Sequence, residues 1–97
     1  MAHRILIVED HTLLREGLRA MFASVAGFEV AGEARDGREA LLRAMDLKPD
    51  LITMDLSLPD MSGIEATREI KRRHPEIRVL ALTVQKSEEY VREALKA

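Results

Sequence analysis

Ile5-Leu6-Ile7-Val8-Glu9-Asp10 decides the reading of this chain: four aliphatic residues in unbroken succession, then two acids. A strand wet on one face alternates polar and apolar residues, whereas a continuous aliphatic run marks a strand covered on both faces. Two further runs have this character, Leu51-Ile52-Thr53-Met54 and Val79-Leu80-Ala81-Leu82, and they read as a third and a fourth buried strand. Phe28, Val30, Gly32 and Ala34 instead alternate with Glu29, Ala31 and Glu33, which predicts a second strand wet on one side, at a sheet edge. Helical periods fill the intervals. Leu14, Leu18, Met21, Phe22 and Val25 recur at helical spacing, with Gly27 expected to stop that helix. Asp36 and Glu39 open a helix carrying Leu41, Ala44 and Met45. Ser62-Gly63-Ile64-Glu65 is a capping box for a helix ending near His74-Pro75. Ser87, Glu88 and Glu89 open a last one carrying Tyr90, Val91, Ala94 and Leu95. Strict strand–helix alternation predicts right-handed crossovers: an α/β fold with a mostly parallel sheet between two helical layers.

The 97 residues allow one domain, and no repeat, linker or low-complexity stretch divides them. Hydrophobic residues at 46% and charged residues at 33% fit a globular fold. With 15 Lys and Arg against 17 Asp and Glu, the net charge of −2 gives no global positive field for nucleic acid. Cysteine is absent, which excludes disulfides and thiolate metal sites and suits a reducing, cytoplasmic setting. No apolar stretch is long enough to span a bilayer, and the N-terminus lacks the apolar core of a signal peptide.

In doubly wound sheets, ligands bind beyond the carboxyl ends of the strands, where the strand order reverses. The first strand ends in Glu9-Asp10, the third in Asp55, the fourth in Thr83. If the first and third strands are neighbours, three carboxylates converge, and like charges so close destabilise an empty site. A divalent cation resolves that conflict, and oxygen donors without Cys or clustered His favour a hard ion such as Mg²⁺. Such an ion, usually shared with phosphate, points to phosphate chemistry, in which an Asp can itself be the nucleophile. The alternatives are a solvated acidic loop for Glu9-Asp10, a helix cap or turn former for Asp55 and a plain strand residue for Thr83.

Glu9-Asp10-His11, together with Met54-Asp55-Leu56-Ser57-Leu58-Pro59-Asp60-Met61-Ser62-Gly63, resembles the CheY-like receiver domain of bacterial two-component response regulators. The stretch from Leu82-Thr83 to Ala97 is similar to the NarL/FixJ (LuxR-type) subgroup. The resemblance covers residues 1–97 and implies a flavodoxin-like sheet of order 2-1-3-4-5. It implies that Asp55 accepts a phosphoryl group from a phosphohistidine of a sensor histidine kinase. Asp10, Asp55 and the backbone carbonyl of Ser57 would ligate Mg²⁺, and Glu9 would act through a metal-bound water. Thr83 would hydrogen-bond the phosphoryl group and move on activation. Ser57 and Gln85 would flank the path of the hydrolytic water and tune the lifetime of the phosphorylated state.

One family element has no match. Receivers carry a Lys at the end of a fifth strand, and Lys96 lies before any such strand; Tyr90 is likewise not the family's aromatic switch residue. The expectation is therefore a receiver lacking its fifth βα unit, with a helix-turn-helix DNA-binding domain following in the full-length protein. DNA contact would come through that domain only, with no membrane contact. A fourth strand left bare over residues 78–84 would invite dimerisation or element exchange. The chain is expected to be a phosphoacceptor and not a turnover enzyme. Haloacid-dehalogenase-like phosphohydrolases need a second Asp two residues past the nucleophile, where Ser57 stands. The acidic pair, Asp55 and Thr83 argue against a phosphate-independent pseudo-receiver. His11 is expected as a polar residue opening the first helix, His3 and His74 as exposed, and Lys71-Arg72-Arg73 as a solvated face. Met21, Met45, Met54 and Met61 are expected as core or loop packing, and Gly63 as a residue of turn geometry.

Overall fold

The computed structural model describes residues 2–82. Seven elements alternate along them: β1 (His3–Val8), α1 (Thr12–Ala23), β2 (Phe28–Ala34), α2 (Gly37–Leu47), β3 (Leu51–Asp55), α3 (Gly63–Arg73) and β4 (Arg78–Leu82). The strands form one parallel sheet in the order β2-β1-β3-β4. The chain steps from β1 outward to β2, then crosses back over β1 to β3. Right-handed crossovers in opposite directions put α1 on one face of the sheet and α2 on the other. The order reverses between β1 and β3, so the crevice at their carboxyl ends is the switch point.

The main core lies between the sheet and α2 with α3. Leu6, Val8, Ile52 and Met54 point into it and meet Ala40 and Ala44 of α2 and Ala66 and Ile70 of α3. Small alanines on the helices face large aliphatics on the strands, which lets α2 and α3 lie close to the sheet. Ile5 and Ile7 are equally buried but alternate to the other face, that of α1. α1 offers them the half-buried stripe Leu14, Leu18 and Phe22, spaced one helical turn apart.

The helix starts follow the sequence signals. Asp36 accepts the Glu39 amide at 2.8 Å, and Glu39 reaches back to the Arg35 amide at 3.2 Å. Ser62 accepts the Glu65 amide at 3.1 Å. At the opposite end of the sheet Asp50 ties three strands together. It exchanges backbone and side-chain bonds with Arg4 and accepts the Arg78 amide at 3.1 Å.

Several expectations are corrected. α1 ends at Ala23 with Ser24 as its C-cap, so Val25 lies past the helix and Gly27, at φ +92°, serves the turn into β2. β2 is an edge strand as its alternation predicts, but its register against β1 slips between Ile5 and Leu6, a bulge that alternation alone does not disclose. β4 is not buried on both faces: among the described residues it pairs with β3 alone, and Leu80 is 51% exposed. Met54 is core and Met61 packs against it, whereas Met21 and Met45 face solvent. His3 is exposed, but His74 is half-buried. Arg72 and Arg73 pair with Glu69 on the surface, while Lys71 donates to the carbonyls of Pro75 and Ile77 and so staples the end of α3 to the approach of β4.

Ile52 has no exposed surface and belongs to a strand flanked on both sides. Ile52→Ala is expected to lower unfolding free energy by about 2–5 kcal/mol, read as a drop in the urea midpoint with little change in slope.

Candidate phosphoacceptor and metal site

Register builds the site. Val8 pairs with Met54, so the next residues, Glu9 and Asp55, emerge level with each other at the switch point. One ligand oxygen each from Glu9, Asp10 and Asp55 fall within 4.8 Å of one another. Glu9 and Asp55 are 1% and 2% exposed and Asp10 is half-buried, so water hardly reaches two of the three acids and has partial access to the third. Oxygen donors alone, at this spacing and desolvation, fit a hard divalent cation such as Mg²⁺.

Backbone amides fix the orientation of two of the acids. The Ser57 amide donates to Asp55 Oδ1 at 3.0 Å, and the His11 amide donates to Glu9 Oε2 at 2.8 Å. The Glu9 amide donates in turn to the Ala34 carbonyl of β2 at 2.9 Å. His11 is the N-cap residue of α1, and its side chain makes no capping bond, in line with a polar residue opening the helix. Ser57 is exposed in the loop two residues past Asp55. Thr83 and Gln85 lie outside the described residues, as do Tyr90 and Lys96.

The loop between Asp55 and α3 is closed on itself. Ser57 and Ser62 form an antiparallel bridge, and the Gly63 amide donates to the Leu56 carbonyl at 3.0 Å. Gly63 is needed here for space, not for the turn geometry expected of it, since its φ is not positive. A Cβ at Gly63 would stand 2.2 Å from the Asp55 carbonyl oxygen and 2.7 Å from the Leu56 Cα, both rigid backbone.

Asp60 ties the same loop to α2. Its two oxygens accept the Gly37 amide at 2.8 Å and the Arg38 amide at 2.9 Å, the first amides of the helix. Met61 covers the junction so closely that a Cβ at Gly37 would meet its Cγ at 2.3 Å. The Gly37 amide above all, with the Arg38 amide adding to it, holds the Asp60 carboxyl below the usual carboxylate range, against the opposing effect of desolvation. Sequence reading missed this role of Asp60. The only local hint is the Asp36-Gly37 start of α2, which does not say where a second acceptor comes from.

The response regulator receiver domain family matches residues 5–97. This chain belongs to that family. It is 43% identical to the response regulator GacA of Pseudomonas viridiflava over 97% of its own length and 44% of that protein's. To the response regulator protein VraR of Staphylococcus aureus it is 46% identical, over 86% of this chain and 40% of VraR. The crystal structure of a LuxR-family two-component response regulator from Aurantimonas superposes with a TM-score of 0.83 at 35% identity, covering 99% of this chain and 69% of that one. The receiver chain thus spans less than half the length of the curated relatives it matches. Among its described residues no helix is long and apolar enough to cross a membrane.

Two outcomes follow for the loop. Gly63→Ala has no soft neighbour to displace and is expected to cost about 1–3 kcal/mol of stability, measured by urea unfolding. Asp60 contributes stability above its unfolded pKa that is lost as pH falls through its lower folded value. The difference in melting temperature between the unsubstituted chain and Asp60→Asn is therefore expected to be widest at neutral pH and to shrink below about pH 4.

Proposed function

We propose that this receiver chain is the phosphoacceptor of a two-component pathway, with Asp55 taking a phosphoryl group from a phosphohistidine on a sensor histidine kinase. The observation that carries this reading is the convergence of Glu9, Asp10 and Asp55 at the switch point. An Asp55 carboxylate oxygen attacks phosphorus, the P–N bond breaks, and its electrons return to the leaving imidazole. The Ser57 amide on Oδ1 holds the carboxylate in place for that attack. Asp10, Asp55 and the Ser57 carbonyl would hold Mg²⁺, with Glu9 acting through a bound water. The ion supplies charge neutralisation for the phosphoryl oxygens. Thr83 as phosphoryl hydrogen-bond donor and Gln85, with Ser57, as a residue tuning hydrolysis complete the assignment on sequence grounds.

The receiver reading covers residues 1–97. In the intact protein the phosphorylated state would switch a helix-turn-helix DNA-binding unit that regulates transcription. Similarity to GacA, VraR and a LuxR-family regulator supports this output. The chain takes up and releases phosphate on its own aspartate and does not turn over an external substrate.

Incubation of the intact protein with acetyl phosphate and Mg²⁺ is expected to add one phosphate by mass spectrometry. Asp55→Asn should abolish the gain, and full incorporation by that variant would overturn the assignment.

A further inference from the structure

The side chain of Arg15 is only 13% exposed and lies against the acidic turn. Helical side chains lean toward the N-terminus of their helix, and that of Arg15 does so. Its Nη1 donates to the Glu9 carbonyl at 2.9 Å, and its Nε donates to Glu33 Oε1 at 3.1 Å. Glu33 precedes Ala34 on β2, and the Ala34 carbonyl accepts the Glu9 amide. Both backbone groups of Glu9 are therefore held, the amide by β2 and the carbonyl by Arg15. That carbonyl belongs to the peptide joining Glu9 to Asp10, and a rotation of this peptide would swing both carboxylates.

A plain staple between α1 and β2 would need only the pair with Glu33. The second bond, to the Glu9 carbonyl, comes from a second nitrogen of the same guanidinium, whose rigid planar fork fixes both contacts at once. Glu33 also balances the guanidinium charge, so Arg15 acts on the turn as a hydrogen-bond donor and not as a rival cation. We propose that Arg15 is a positioning residue that pins the Glu9–Asp10 peptide, and so holds the two carboxylates at the spacing a divalent cation requires. This rests on the metal reading above. Mg²⁺ tolerates little departure from its preferred geometry.

The test is calorimetric titration of the intact protein with Mg²⁺, at a temperature where circular dichroism shows each variant folded. Arg15→Met keeps the apolar stem and is expected to weaken Mg²⁺ binding by roughly 10-fold to 100-fold, the usual effect of losing a group that orients a ligand. Arg19→Met removes the more exposed guanidinium, 3.9 Å from Glu33, and should leave the constant unchanged. Without metal, amide exchange at Asp10 should accelerate in Arg15→Met but not in Arg19→Met. If Arg15→Met does not fold, Arg15→Lys serves instead, with weakened binding expected because a single flexible ammonium does not hold the Glu9 carbonyl and Glu33 at the fixed spacing of Nη1 and Nε. A folded Arg15 variant with the unsubstituted protein's Mg²⁺ constant would overturn the positioning role alone. Absence of binding by the unsubstituted protein would overturn the metal reading and this role with it.

Discussion

The parallel pairing of β1 with β3 is the constraint on which the rest depends. A slip of one residue would turn Ile52 and Met54 out of the core and move Asp55 away from Glu9. Burial of Leu6, Val8, Ile52 and Met54 against α2 and α3 thus fixes, by the same register, where the acids emerge. The hydrophobic effect sets the position of the carboxylates. Electrostatics alone would drive them apart, and folding holds them together in spite of it.

Around this crevice, restraint is supplied mostly by the backbone. Glu9 and Asp55 are each oriented by an amide two residues on, from His11 and Ser57. Such short loops cost little entropy to close and leave the carboxylate few alternative orientations. The β3–α3 loop adds the Ser57–Ser62 bridge and the bond from Gly63 to Leu56, so the segment beyond Asp55 is itself ordered. The restraint carries through Asp60 into α2, so the loop beyond Asp55 is tied to the start of the preceding helix.

Much of this was legible in the chain. Unbroken aliphatic runs identified β1 and β3, alternation placed β2 at an edge, and Asp36 and Ser62 marked two helix starts, because each signal is local. β4 misled because its run Val79-Leu80-Ala81-Leu82 records burial potential, while the exposure of Leu80 depends on what lies beside it. The periodicity through Val25 overran α1 since spacing cannot show where a helix stops making its bonds. The roles of Arg15, Asp60 and Gly63 were illegible for a shared reason. Each acts on a backbone group far from it in sequence or folded against it in space, and no side-chain pattern records that. The acids Glu9, Asp10 and Asp55 were legible as residues, and their convergence depended on strand order.

The Asp60 bridge also bears on the order in which structure forms. Its partners in α2, Gly37 and Arg38, lie 23 and 22 residues earlier in the chain. Before β3 and its loop are in place, the start of α2 has only its local contacts, the cap from Asp36 and the return bond from Glu39 to the Arg35 amide. The first two amides of the helix then have water as their partner, and an isolated helix of 11 residues is marginal in water. Consolidation of α2 and closure of the loop after Asp55 are thus coupled events in folding, separated by a loop-closure cost that local helix formation does not repay. The end of α2 nearest the acidic crevice becomes fully native only when the crevice does.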